Sequence, residues 1–112
     1  MSFYTVIKTE LKTKKYIIAA LQELKKRGEI TSYVQNERKD SIEVDRSGDV
    51  VTLQKVSSGN AELAGDNRVV QQMSNRIKQF YALESIKDNL PLDFEISSET
   101  EVAGEIKILL KG

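Results

Sequence analysis

The chain has no cysteine, no histidine and no tryptophan, and one proline and six glycines among its 112 residues. Without cysteine, neither a disulfide nor a thiolate metal site can hold the fold, so burial of apolar side chains has to supply its stability. Without histidine or cysteine, the usual proton shuttle and the strongest nucleophile are both missing. Any reaction would fall to carboxylates, lysines, tyrosines and hydroxyls, and no cofactor is expected. The glycines are scattered at turns and the terminus, with no glycine-rich phosphate loop among them. No stretch approaches the ~20 apolar residues that cross a bilayer, and the opening run around Phe3 to Ile7 is too short for a signal peptide. These absences set the expectation of a cytoplasmic protein with no membrane partner.

A chain of this length makes one domain, residues 1–112, and folding at this size hides roughly two-thirds of the unfolded surface. The formal net charge is zero, but the charges are unevenly distributed. Up to Gly28, Lys8, Lys12, Lys14, Lys15, Lys25, Lys26 and Arg27 face only Glu10 and Glu23. A matching negative excess gathers near Asp93, Glu95, Glu99, Glu101 and Glu105. The molecule is two-faced if folding keeps these groups apart, and field-free if antiparallel packing interleaves them.

Phe3 to Lys8 predicts a strand with apolar groups on both sides, which suits an inner position. Thr13 can cap a following helix in which Ile17, Ile18, Ala20, Leu21 and Leu24 recur at helical spacing. Tyr16 and Ile17 begin the buried stripe, and Lys14, Lys15, Gln22, Lys25 and Lys26 are expected in water. Lys25, Lys26 and Arg27 complement the helix dipole at its end, and Gly28 suits a left-handed stop. From Ile30 to Gly65 the period falls to two, as in a meander of antiparallel strands. A short strand is expected at Thr31 to Gln35. Ile42 and Val44 point inward, Arg46-Ser47-Gly48-Asp49 turns, Val51 and Leu53 return, and Asn60 to Ala64 follows the turn Ser57-Ser58-Gly59. Asp66 or Asn67 can cap a second helix carrying Val69, Val70, Met73, Ile77, Phe80, Leu83 and Ile86, which ends before Pro91. A last hairpin places Leu92, Phe94 and Ile96 opposite Ile106, Ile108 and Leu110 around a turn at Ser98 to Gly104, with Leu109 on the other face. The order β-α-β-β-β-(β)-α-β-β predicts an α+β fold, two helices packed on a single antiparallel sheet. Nearly all large apolar side chains are expected in its core.

Three stretches carry a family resemblance. They are Ser2-Phe3-Tyr4-Thr5-Val6-Ile7-Lys8-Thr9; Asp49-Val50-Val51-Thr52-Leu53 with Gly59 and Ala61-Glu62-Leu63-Ala64-Gly65-Asp66; and Ile77-Lys78-Gln79-Phe80-Tyr81-Ala82 with Gly104-Glu105-Ile106-Lys107-Ile108-Leu109-Leu110. In these the chain resembles the hypothetical chloroplast reading frame thirty-five family, an uncharacterised group with plastid, cyanobacterial, bacterial and phage members. The resemblance implies a shared opening strand, central hairpin, second helix and final strand, and an ATPase as partner by analogy. The tryptophans and histidine of that family's second helix and C-terminus are missing here, so no role resting on them transfers.

Lys12, Lys14, Lys15, Lys25, Lys26 and Arg27 form the candidate interaction surface, a basic helix edge able to follow a phosphate backbone by displacing counterions. A solvated helix face gives the same pattern. Tyr33 and Tyr81 can be stacking platforms or core seals, and the core reading is preferred. Asp45 and Asp49 could hold calcium, but their spacing is that of a hairpin turn. The acidic final hairpin is either a docking surface or a guard against edge-to-edge association. The function expected is a small non-catalytic accessory module that binds another protein. A sequence-independent nucleic-acid binder and a carboxylate enzyme are the alternatives, and a homodimer through sheet extension is a further expectation.

Overall fold

The structure, a computed structural model, describes residues 4–90 in full and the backbone of the strands at 95–102 and 105–111. Its elements are β1 Tyr4–Lys8, α1 Lys14–Lys26, β2 Ser32–Asn36, β3 Ser41–Arg46, β4 Asp49–Gln54, β5 Glu62–Asp66, α2 Asn67–Asp88, β6 Glu95–Val102 and β7 Glu105–Lys111. This is the α+β order expected, with the short strand before β3 present. Five strands form one sheet in the order β1-β5-β4-β3-β2, every neighbouring pair antiparallel.

Three expectations are corrected. β1 lies at the sheet edge, bonded only to β5 among the described strands, and its outward residues Tyr4 and Val6 are exposed. Apolar residues on both sides of a strand are ambiguous, because a residue on the uncovered face of an edge strand reads the same as one in an inner strand. The final hairpin forms its own two-stranded sheet, so the sheet is not single. Its strands run on to Val102 and resume at Glu105, so the turn is tighter than Ser98 to Gly104. Pairing shifts between Ile96↔Leu110 and Ser98↔Leu109, and the extra residue there is a β-bulge. Leu92 and Phe94, and which way the side chains of this hairpin face, lie outside the described residues.

The meander closes as its sequence predicts. Ser47 (φ 52°) and Gly48 (φ 95°) form the two-residue turn between paired Arg46 and Asp49, the twist-matched connection of a hairpin. Alternation along the strands sends Ile42, Val44, Val51, Leu53 and Leu63 to one face, where all are fully buried.

Both helices lie on that face. α1 buries Ile17, Ala20, Leu21 and Leu24. Its end is a full Schellman closure: Glu29 N–H donates to Leu24 O at 2.9 Å and Gly28 N–H to Lys25 O at 3.0 Å. This geometry requires the left-handed backbone of Gly28, φ 77°. The start of α1 differs from expectation. Thr13 occupies the N-cap but makes no side-chain cap bond, and the Tyr81 hydroxyl accepts the Thr13 and Lys12 amides instead, at 3.0 and 3.3 Å.

Asp66 caps α2 as expected, accepting from Arg68 N and Val69 N. At about 1.5 Å per residue its 22 residues run roughly 33 Å, over β1, β5 and β4. It sits close because Gly65 has no side chain; a Cβ there would stand 3.1 Å from Val50 O and 3.2 Å from Val70 Cγ2. Val69, Val70, Met73, Ile77, Phe80 and Leu83 are buried, while Ile86 is exposed. The 3.6-residue period has by then rotated its stripe away from the sheet.

Phe80 locks the helices together. The Arg27 and Arg76 guanidiniums stand 4.6 and 5.0 Å from its ring centroid, within the range of cation–π attraction. Arg76 also grips Glu29 with two 2.7 Å bonds, a bidentate pairing that fixes the chain leaving α1.

Candidate functional site

The basic residues of α1 do not form one continuous edge. At about 100° per residue, Lys14 and Lys25 share one flank three turns apart, and Lys15 and Lys26 point away from the core. Arg27 falls on the opposite flank, against α2, where its Nε donates to Glu23 Oε1 at 3.1 Å and its guanidinium covers Phe80. Lys15 Nζ is 3.1 Å from Asp88 Oδ2. Lys14 is half-buried rather than fully in water, and Lys12, Lys25 and Lys26 are exposed. The sequence shows the charges; the two that belong to the helix–helix seam become visible only once α2 is in place.

Asp88 organises a small polar knot at that seam. Tyr16 Oη donates to Asp88 Oδ2 at 2.7 Å and Asn89 Nδ2 donates to Tyr16 Oη at 3.1 Å. The Tyr16 and Tyr81 rings meet edge-to-face at 5.6 Å. Hydrogen bonds from Tyr16 and Lys15 hold the Asp88 carboxyl below its ordinary value, and the bond to Asp88 raises both Lys15 and Tyr16. Tyr81 lies below its ordinary value, because burial pushes it up but bonds from Thr13 and Lys12 outweigh that push. The knot borders a groove of about 180 Å³ lined by Lys15, Tyr16, Ala19, Glu84, Lys87 and Asp88. Tyr81 and Tyr33 both pack against the core while half-exposed, in line with the preferred sealing role.

A second concavity, about 380 Å³, opens on the other side of the sheet between Lys39, Asp40, Ser41, Glu43, Thr52, Gln54, Lys55 and Ser58. Asp40 and Lys55 have positive φ, 50° and 59°. Asp40 ties this loop pair together, accepting from the Ser57 backbone, at 3.0 Å, and hydroxyl and from Ser58 Oγ at 2.7 Å. Those hydroxyls hold its carboxyl below its ordinary value. Asp40 and Asp88 are thus both shifted toward the charged form, opposite to what a general acid requires. Asp45 Oδ1 accepts Gly48 N–H at 2.8 Å, which is hairpin-turn chemistry. Among the described residues, no group of three acidic, histidine or cysteine side chains could hold a metal, and no helix is long and apolar enough to cross a membrane.

The surface that periodicity did not reveal is the sheet face turned away from the helices. Tyr4, Val6, Val34 and Val50 are 73, 50, 64 and 50 % exposed, and register puts all four on this face. Val6 pairs Ala64, Ala64 pairs Thr52, Thr52 pairs Glu43 and Glu43 pairs Val34; Tyr4 pairs Asp66, and Val50 pairs Asp45. The expectation that nearly all large apolar residues enter the core is therefore corrected: the helices can cover only one side. The strands show a signal for this, apolar residues at positions that alternation assigns to the outside.

Charge is also divided by layer. The strands' outer face carries Glu43, Asp45, Glu62 and Asp66 against Lys8, with Asp40, Lys39 and Lys55 in the loops at its rim, and the exposed lysines of α1 lie on the helix side. Compared with known proteins, the chain matches no family model, no curated protein and no solved structure.

Proposed function

We propose that the protein is a non-catalytic accessory module that binds another protein through the outer face of its five-stranded sheet. The supporting observation is the exposure of Tyr4, Val6, Val34 and Val50 together on that face. Single exposed apolar residues are ordinary; four on one sheet face, set among Glu43, Asp45 and Asp66, are the feature on which this reading rests. An antiparallel sheet with one face in water normally alternates apolar-in and polar-out, and four large departures on one face call for a partner. The resemblance to the chloroplast reading frame family adds an ATPase as the class of partner, and the outer edges of β1 and β2, unpaired among the described strands, allow sheet extension into a homodimer.

Affinity capture from the native cell with the wild-type chain and with a Tyr4→Lys, Val50→Lys double variant tests this reading. A stoichiometric partner retained by the wild type and lost by the variant is the expected result. Equal capture by both, or repeated absence of a partner, overturns it.

The second reading, sequence-independent nucleic-acid binding, draws on Lys14 and Lys25 sharing one flank of α1, with Lys12 and Lys26 exposed nearby. It predicts a mobility shift at low salt that weakens steeply as salt rises and disappears in Lys14→Glu with Lys25→Glu. No shift at low salt ends it.

A further inference from the structure

From the charge pattern of the outer face we infer that its occupant is a single amphipathic helix of a partner protein, with lysine or arginine bordering its apolar stripe. The inference rests on the protein-docking reading above and deepens it.

β3 runs between β2 and β4, so Glu43 and Asp45 separate exposed Val34 from exposed Val50. On this face β2 offers Val34 between Ser32 and Asn36, and β4 offers Val50 beside Thr52 and Gln54, so single apolar residues flank an acidic strand. Glu62 has an ammonium beside it, Lys55 Nζ at 3.5 Å; Glu43 and Asp45 have no ion pair among the described residues. A covering surface must then offer apolar groups over β2 and β4 and positive charge over β3, since burying these carboxylates without a counter-charge is costly.

A second copy does not meet both conditions at once. Outer face against outer face sets acid on acid. The basic helix layer has the right charge, but the apolar stripe of α1, Ile17, Ala20, Leu21 and Leu24, is already spent in its own core. Seating that layer on another copy's sheet is also a head-to-tail contact, which gives rings or open filaments rather than a two-fold dimer. Size agrees with a helix. Five strands at about 4.8 Å spacing are roughly 20 Å across, matched by about 14 helical residues. A stable protein–protein interface needs about 800 Å² from each partner, and a face of this width and about five residues of strand offers roughly half of that.

The test is to pan a phage-displayed library of helical peptides of about 14 residues against the full chain, with Glu43→Lys and Val50→Lys as comparison baits checked for fold by circular dichroism. Both positions are exposed. Enrichment of amphipathic peptides bearing lysine or arginine, with affinity falling at least about tenfold for either variant, is the expected result. Enriched peptides that are acidic, neutral or extended but still sensitive to Val50→Lys would overturn the helix inference and leave the docking reading standing. Peptides indifferent to Val50→Lys, or no enrichment at all, would overturn the inference and count against that reading too. Should a variant misfold, amide shifts of the labelled wild-type chain with the selected peptide decide the matter. They should change in β2, β3 and β4, and changes confined to the helices would overturn the inference.

Discussion

Replacing Tyr81 with phenylalanine separates two ways of starting α1. Local rules assign the cap to Thr13, whose hydroxyl should bond an amide in the first turn, and an alanine there should then cost about 1 kcal/mol. In the structure Thr13 makes no such bond; the Tyr81 hydroxyl, 68 residues along the chain, accepts the Thr13 amide at 3.0 Å and the Lys12 amide at 3.3 Å. Tyr81→Phe removes that acceptor and keeps the ring that meets Tyr16 edge-to-face. Each neutral hydrogen bond is worth about 0.5 to 1.5 kcal/mol net. Water can reach this helix end, so a loss of about 1 kcal/mol is expected. With an unfolding entropy of about 2.1 cal/mol/K per residue, the 112-residue chain should lose about 4 °C in Tm. Urea and thermal unfolding followed by circular dichroism measure both quantities. Thr13→Ala should cost less than half as much. A Tyr81→Phe loss within about 0.5 kcal/mol, the range of an ordinary surface change, or a larger loss for Thr13→Ala, would refute an anchor for the start of α1 supplied from the second helix.

Gly65→Ala should destabilise by about 1 to 3 kcal/mol, because the added Cβ meets a carbonyl oxygen that cannot move aside and α2 must lift at Val70; denaturant titration reads this, and an unchanged midpoint contradicts it. Ser74 Oγ is buried, the residue 2 % exposed, with no hydrogen-bond partner among the described residues, so Ser74→Ala should be neutral or stabilise by up to about 1 kcal/mol. A loss above about 1 kcal/mol in the same titration would show that the hydroxyl has a partner. Asp40 is held below its ordinary value of 3.8 by Ser57 and Ser58, so its contribution to stability is present above that value and is lost as pH falls through the lowered one. Asp40→Asn should flatten the fall in stability between about pH 5 and pH 2 relative to wild type, and parallel acid limbs in pH-dependent unfolding would refute it.

Most of the secondary structure was legible because its signals are local. The alternation at Ile42, Val44, Val51 and Leu53, the turn at Ser47-Gly48, the stop at Gly28 and the cap at Asp66 each depend on neighbours a few residues away. The strength of the local cue also sets where reading fails. Thr13 sits at the N-cap without making the cap bond, and the Tyr81 hydroxyl of the other helix instead anchors the amides of Lys12 and Thr13 ahead of the first turn. Ile86 continues the apolar period of α2 after that helix has turned it away from the sheet.

Sequence by itself determined the α+β order, the antiparallel meander, the buried faces of both helices and the absence of histidine and cysteine chemistry. These follow from residue types and from periods of two and 3.6, which any short window contains. Tertiary structure alone decided that β1 is an edge strand, that Arg27 and Lys15 belong to the helix seam rather than to a free basic edge, and that Tyr4, Val6, Val34 and Val50 share one uncovered face. Those facts depend on strand order and on which side of the sheet the helices occupy. The strand order turns on β1 pairing with the distant β5, and alternation, though it marks these residues as outward, does not say that they gather on one face or that the helices take the other.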